Sequence, residues 1–254
     1  MVETGSMSEG AQAAIRFRVA GAMRFLSHAE TARVFQRACA RAGLPVRYSQ
    51  GFNPHPRMSL PLPRPVGVES DDELLVIRLE EDPENVSQES RTERQANWKR
   101  ALAAQLPEGV EVLAVGLAPV QASWQPRSAE YVLPLRVEQA GLEERVKRRM
   151  TEVMASDRCV VERVSAEGRA AKSVDVRPFL DALRWEEGNL IVQQRTGPAG
   201  SIRVEEIRQL LGLHPQDLAG PVRRTRVIWE TNKLENPVEE PGVETRAEDV
   251  EDGT

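Results

Sequence analysis

The chain has 254 residues, 40% of them hydrophobic and 29% charged, with a net charge of −5. That length suffices for two ordinary domains of about 100 residues each. No apolar run approaches the roughly 18 residues of a spanning helix and the first residues lack a basic-then-apolar signal, so no membrane segment and a cytoplasmic location are expected. Its two cysteines, Cys39 and Cys159, lie far apart, which leaves neither a disulfide framework nor the three or four thiolates of an iron–sulfur cluster.

Residues 1–14 are small and polar and are expected to be disordered. Ile15, Phe17 and Val19 alternate with Arg16 and Arg18, the pattern of a half-buried strand. Ser27 and Glu30 then make a capping box for a helix from Ser27 to Ala42, with Val34, Phe35, Ala38, Cys39 and Ala42 on its apolar face and Gly43 and Pro45 as its stop. A short strand is expected at Val46–Ser49. The loop after it carries Pro54, Pro56, Pro61, Pro63 and Pro65, which excludes central strand and helix interior. A strand at Glu73–Leu79, a polar loop at 82–95, a helix at Ala96–Leu106 and a strand at Val110–Leu117 complete a β-α-β-β-α-β order over residues 15–118.

After a linker at 119–128 the order returns over residues 129–230. A strand is expected at Tyr131–Val137, a helix at Leu142–Met154 and a strand at Cys159–Val164. A turn of helix at Pro178–Ala182, a strand at Asn189–Arg195 after the Glu187-Gly188 turn, a helix at Val204–Leu211 and a strand at Arg223–Trp229 follow. The expected fold class is α+β, two tandem ferredoxin-like (βαββαβ) units flanked by a disordered N-terminus and a disordered acidic tail at 231–254.

The net charge averages two unlike regions. The last 24 residues hold eight acidic side chains against two basic ones, or −6. Between Arg16 and Val68 nine arginines (Arg16, Arg18, Arg24, Arg33, Arg37, Arg41, Arg47, Arg57, Arg64) face a single acid, Glu30. Unpaired arginine seeks anions. Arg33, Arg37 and Arg41 recur every four residues along the first helix, a row that grips phosphates or simply solvates the helix. Arg47 and Arg57 adjoin it on the following strand and loop. Five of the eleven aromatic residues fall in the same stretch, and Phe25, Tyr48 and Phe52 sit at element ends or in loops, where a ring either stacks on an unpaired base or covers the sheet end.

Two of the three histidines, His28 and His55, also lie there, and an imidazole beside a phosphodiester can act as acid or base. His28, at the start of the helix, better fits a terminal hydrogen bond, because a cation there opposes the helix dipole. His55 is held between Pro54 and Pro56. No second titratable group is tied to His55 by spacing. Gly197-Pro-Ala-Gly-Ser201 before a helix matches no established phosphate loop. Arg223, Arg224 and Arg226 form a second basic cluster, to which Arg177 either belongs or not.

The run Phe25-Leu-Ser-His28, with Arg-Ala-Gly-Leu-Pro45, Tyr48-Ser-Gln-Gly-Phe-Asn-Pro-His-Pro56 and Pro65-Val-Gly-Val-Glu-Ser70, resembles the bacterial radical SAM-linked (radical SAM-associated) domain family of uncharacterised function. The likeness extends through Leu106-Pro-Glu-Gly109, Val174-Asp-Val-Arg-Pro178, Gly197-Pro-Ala-Gly-Ser201 and Arg224-Thr225. It departs at Ala29-Glu30 and at Leu60-Pro-Leu-Pro-Arg64. The resemblance implies a companion of a radical S-adenosylmethionine protein, encoded near ribonuclease E/G-type and ribosomal genes, hence work on RNA. No cofactor is expected in this chain. The iron–sulfur cluster and S-adenosylmethionine would belong to the partner.

Three readings follow. In the first, the protein binds RNA or presents it to the radical SAM protein, with Arg33, Arg37, Arg41, Arg47 and Arg57 on phosphates, Tyr48 and Phe52 stacking bases, and Gln50, Asn53 and His55 making polar contacts. In the second it is a metal-independent endoribonuclease using His55 or His28. In the third it is a protein–protein adaptor that does not touch RNA. The acidic tail either solubilises the chain or competes with RNA for the arginines.

Overall fold

The computed structural model describes residues 10–80, 88–163, 172–197 and 200–231. The expected N-terminal residues 1–9 and tail residues 232–254 lie outside them.

Strand β1 (Ala11–Val19) starts ahead of the Ile15 alternation. Ala11, Ala13 and Ala14 are buried, and the Gln12 amide donates to the carbonyls of Pro119 and Ala122. This corrects the expected disorder at residues 10–14: alanines carry no period-two contrast, yet their small side chains pack. A 3-10 turn (Gly21–Phe25) leads to helix α1 (His28–Arg41). The capping box is present, with Ser27 Oγ accepting from Glu30 N at 3.3 Å and Glu30 Oε2 accepting from Ser27 N at 2.8 Å. Phe35, Ala38 and Cys39 are buried, and Phe35 meets Phe17 edge-on with ring centroids 4.5 Å apart.

The strand expected at Val46–Ser49 is corrected to two isolated bridges, Val46 with Leu79 and Tyr48 with Pro56. Strand β2 is Met58–Ser59, inside the proline-rich loop, and it pairs with Val76 and Ile77 of β3 (Glu69–Arg78). Prolines flank this pair of residues without occupying it, so their backbone groups stay free to pair. Helix α2 (Gln88–Ala103) replaces most of the polar loop expected at 82–95, and the loop's residues 82–87 lie outside the described ones. Strand β4 (Val110–Pro119) then pairs antiparallel with β1, which pairs antiparallel with β3.

The expected linker 119–128 is largely strand: β5 spans Trp124–Pro134, and Trp124 is buried. After α3 (Leu142–Ala155), strands β6 (Val160–Arg163) and β7 (Lys172–Asp175) form a separate antiparallel hairpin. The helical turn expected at Pro178–Ala182 is only a 3-10 turn (Arg177–Phe179), and strand β8 (Leu180–Glu186) begins straight after it. Strand β8 forms a hairpin with β9 (Asn189–Arg195) through Glu187-Gly188, whose φ angles of 46° and 80° suit a tight two-residue turn. Helix α4 (Val204–Leu211) and β10 (Arg223–Thr231) complete the described chain.

The second half orders its strands β10-β5-β9-β8, all antiparallel. Two residues of β10, Arg223 and Arg224, pair in parallel with Glu69 and Ser70 of β3, joining both halves into one sheet. The result is a mixed α+β fold with a sheet core and four helices among the described residues. Phe17, Phe35, Leu75, Ile77 and Leu102 fill the helix side of the first half. On the opposite face Ala14, Leu74, Val76 and Ala118 meet Ala122 and Trp124.

Candidate functional site

The nine arginines of residues 16–68 divide sharply by the company they keep. Arg16 pairs with Asp72 at 2.9 Å, and Arg18 with Asp71 at 3.1 Å and Glu111 at 3.5 Å. Arg64 is buried and donates to the carbonyls of Arg24, Pro65, Val68, Met23 and Leu26, stitching the turn before α1 to the loop before β3. Arg24 donates to Gly21 O and lies 4.3 Å from the Phe25 ring centre. The five that remain are Arg33, Arg37, Arg41, Arg47 and Arg57. All are exposed, and among the described residues none forms an ion pair with a carboxylate. The acids that neutralise Arg16 and Arg18 come from Asp71, Asp72 and Glu111, beyond the stretch that looked acid-poor.

The arginine row on α1 stands opposite the Phe35–Ala38–Cys39 face, as its spacing predicts. Glu30 is held below the usual carboxylate range by the Ser27 side-chain and backbone bonds, with Arg33 adding to the effect. It is therefore an anion already committed to the helix cap.

The Tyr48–Pro56 motif forms a narrow antiparallel loop. Ser49 N donates to His55 O at 2.9 Å, His55 N donates to Ser49 Oγ at 3.1 Å, and Arg57 N donates to Arg47 O at 2.8 Å. The loop tip projects Phe52, which is fully exposed, while Tyr48 is 42% exposed. Gly51 takes φ of +127°, a backbone open to glycine and strained for any side chain. Arg47, Tyr48 and Gln50 border one recess of about 310 Å³ with Gly10 and Glu80. An apolar ring with no packing partner beside uncommitted guanidiniums fits a contact surface for an anion carrying flat groups.

His55 Nδ1 lies 2.9 Å from Asn53 O, a bond internal to the loop, and Asn53 itself is exposed. His28 is exposed at the first position of α1, beside a small crevice lined by Thr31, Arg64 and Glu73. No hydrogen bond joins either histidine to another titratable side chain among the described residues. Burial pushes the Cys39 thiol up to about 12, so it stays protonated at neutral pH, and Cys159 is raised by the same cause. No group of three or more His, Cys, Asp or Glu side chains placed to hold a metal occurs among the described residues. No described helix is long and apolar enough to cross a membrane.

The second basic cluster is corrected. Arg224 is 1% exposed and bonds Glu73, Leu62 O and Tyr131 Oη, and Arg223 pairs with Asp71 at 3.3 Å. Burial works against the Arg224 charge, and Glu73 and Tyr131 together more than restore it. Arg177 donates to the carbonyls of Ser156, Met154 and Leu180, closing the end of α3. In the Gly197–Ser201 turn, Gly197 bridges Gly200, and the two residues between them lie outside the described ones.

Fold and surface together define a mixed α+β protein with an arginine-rich face on its first half that is poor in carboxylates among the described residues. Residues 12–206 match the family described as "Uncharacterized protein conserved in bacteria (DUF2344)", and the chain belongs to that family. No curated protein matches it. Among solved structures it is similar to the acetolactate synthase small subunit from Thermotoga maritima, at 10% identity and a TM-score of 0.23, over 89% of this chain and 99% of that one.

Proposed function

We propose that this protein is a non-enzymatic companion of a radical SAM enzyme and binds RNA, or presents it to that enzyme, on the arginine face of its first half. The observation that carries the RNA reading is the division of the arginines: among the described residues the five exposed ones form no ion pair with an acid, and the others of that stretch are engaged within the fold. Arg33, Arg37, Arg41, Arg47 and Arg57 hold phosphates, Tyr48 and Phe52 stack on bases, and Gln50, Asn53 and His55 supply polar contacts. The partner rests on the motif resemblance, and the partner carries the iron–sulfur cluster and S-adenosylmethionine.

We read each half as a ferredoxin-like unit. The strand orders β4-β1-β3-β2 and β10-β5-β9-β8 fit that reading, the first unit having a two-residue second strand and the second an inserted hairpin, β6-β7.

Salt titration tests the RNA reading. For single-stranded RNA and five neutralised phosphates, affinity should fall about a hundredfold between 50 and 200 mM salt, and about sevenfold if only two contacts remain. The Arg33/Arg37/Arg41→Ala protein is expected to show the shallower dependence and weaker binding at 50 mM. Equal affinity and equal slope for the two proteins would remove the RNA reading and leave an adaptor. Cleavage of RNA in chelator that is lost in His55→Ala would replace it with the nuclease reading.

A further inference from the structure

A larger recess than the one beside Tyr48 lies on the other face of the sheet. Its volume is about 520 Å³, inside the range of small-molecule sites, about 300–1,000 Å³. Its walls come from three places. Arg57, Met58, Ser59 and Pro61 belong to the proline-rich loop and β2. Gln12, Val76 and Arg78 lie on β1 and β3, and Ala122, Ser123, Trp124 and Gln125 belong to the turn into β5.

The alternation along β3 separates this recess from the helices. Leu75 and Ile77 face α1 and α2, whereas Leu74 and Val76 face Ala122 and Trp124. The floor is thus apolar sheet and indole, and among the described residues no carboxylate lines it. Two guanidiniums do, in a chain with more acidic than basic residues overall.

The placement of both arginines is over-determined by backbone bonds. Arg47 N donates to Arg78 O, Arg57 N to Arg47 O, and Arg78 N to Arg57 O, closing a ring of three arginine peptides. The Arg78 guanidinium donates to Val120 O, which anchors it at the recess, and Arg57 is exposed with no ion pair among the described residues. Gln12 is spent on Pro119 O and Ala122 O.

We infer that this recess binds a nucleoside monophosphate unit, its phosphate on Arg57 and Arg78 and its base against Trp124. Two positive charges match a phosphate monoester, which carries nearly two negative charges at neutral pH. The indole and the flanking Met58, Pro61 and Val76 offer a wall for a flat, weakly polar ring, and Ser59 and Gln125 stand at the rim to bond its edge. The site lies outside the α1 row and goes beyond the RNA surface proposed above, sharing with it Arg57 alone. Free nucleotide and the phosphorylated end of an RNA strand both present this chemistry.

The full chain should bind AMP and UMP saturably in equilibrium dialysis, and inorganic phosphate more weakly. Arg57→Ala should weaken nucleotide binding about tenfold or more, the usual loss for a charge-assisted hydrogen bond. Because Arg78→Ala removes a fold contact as well, Ser59→Trp provides a second variant: it fills the rim from an exposed position and should abolish binding. Arg33/Arg37/Arg41→Ala should bind AMP normally, which separates this site from the RNA face. A 5′-phosphate preference with short RNA that Arg57→Ala abolishes identifies a strand end as the source. Retained AMP binding without that preference identifies free nucleotide. Absence of saturable AMP and UMP binding, or binding indifferent to both Arg57→Ala and Ser59→Trp, overturns the inference, as does phosphate binding as tight as AMP.

Discussion

At the scale of single residues, arginine serves two opposed purposes in this chain. Arg64 and Arg224 are both buried, and Glu73 is the carboxylate that bonds Arg224 and acts electrostatically on Arg64. Burial lowers the Arg64 pKa, with Arg224 adding to that fall and Glu73 resisting it. Five main-chain carbonyls solvate Arg64 in place of water. Glu73→Gln should therefore leave two interior cations without a counter-charge, and unfolding in urea should show a loss of about 3–5 kcal/mol. The Glu73→Leu/Arg224→Met pair should lose less than Glu73→Gln, because it removes a cation together with its anion. An equal or greater loss in the double variant would mean that packing dominates the charge. None of this was legible in the sequence, where Arg64 and Arg224 look like any other arginine: Arg64 reaches carbonyls of the turn before α1 about 40 residues away, and only the β3–β10 junction brings Arg224 to Glu73.

At the scale of elements, legibility followed locality. The Ile15–Val19 alternation, the Ser27–Glu30 cap, the Phe35 face and the Glu187-Gly188 turn are written in neighbouring residues, and the structure has each of them. Strand β6 lies inside the expected Cys159–Val164 strand, whereas β2 and β7 are short segments that owe their state to what they pair with, which a local pattern cannot express. The arginine row was legible as a face of α1. The scarcity of acids around it was legible too, but not that Asp71 and Asp72 would settle on Arg18 and Arg16 and leave the row alone among the described residues. Besides the burial of Val161 in the core, the hairpin is tied to the body by a clip, in which Arg163 of β6 donates to Glu206 of α4 at 2.7 and 2.8 Å and to Ser201 O at 3.0 Å. Burial alone would raise the Glu206 pKa, but the bonds from Arg163 and from Arg203 N outweigh it and the net shift is downward. A carboxyl depressed in the folded state adds stability that is complete above the ordinary glutamate range and disappears as pH falls through the folded-state pKa. Acid titration should thus loosen the hairpin, read as faster amide exchange at Val161 and Val174 on going below about pH 4. Glu206→Gln should already exchange faster at pH 7 and lose that acid dependence. Identical exchange in the two proteins at both pH values would show that the clip does not hold the hairpin.

At the scale of the whole molecule, the last described residue stands beside the recess of Arg57 and Arg78, and the most acidic stretch of the sequence begins there. Strand β10 ends at Thr231, paired with Trp124, the indole that walls the recess between Arg57 and Arg78. Residues 232–254 follow directly, and they carry −6 against the +8 of residues 16–68. Tethering at that point raises the local concentration of carboxylates around the recess whatever path the segment takes, since a short tether turns a bimolecular encounter into an intramolecular one. Each carboxylate–guanidinium encounter on an exposed surface is weak, about 0–1 kcal/mol, so the competition is graded and is not a lock. A chain ending at Thr231 should bind single-stranded RNA and AMP about threefold or more tightly than the full chain at 50 mM salt, the expectation for one such pair relieved. The gap should close at about 0.5 M salt, where the screening length falls well below 10 Å. Neutralising Glu235, Glu239, Glu240 and Glu244 to Gln should reproduce the truncated chain at full length, which separates charge from bulk. Unchanged affinities at low salt in both altered proteins would leave the segment with no hold on the arginines, and the surplus of acid in this protein would then serve its solubility alone.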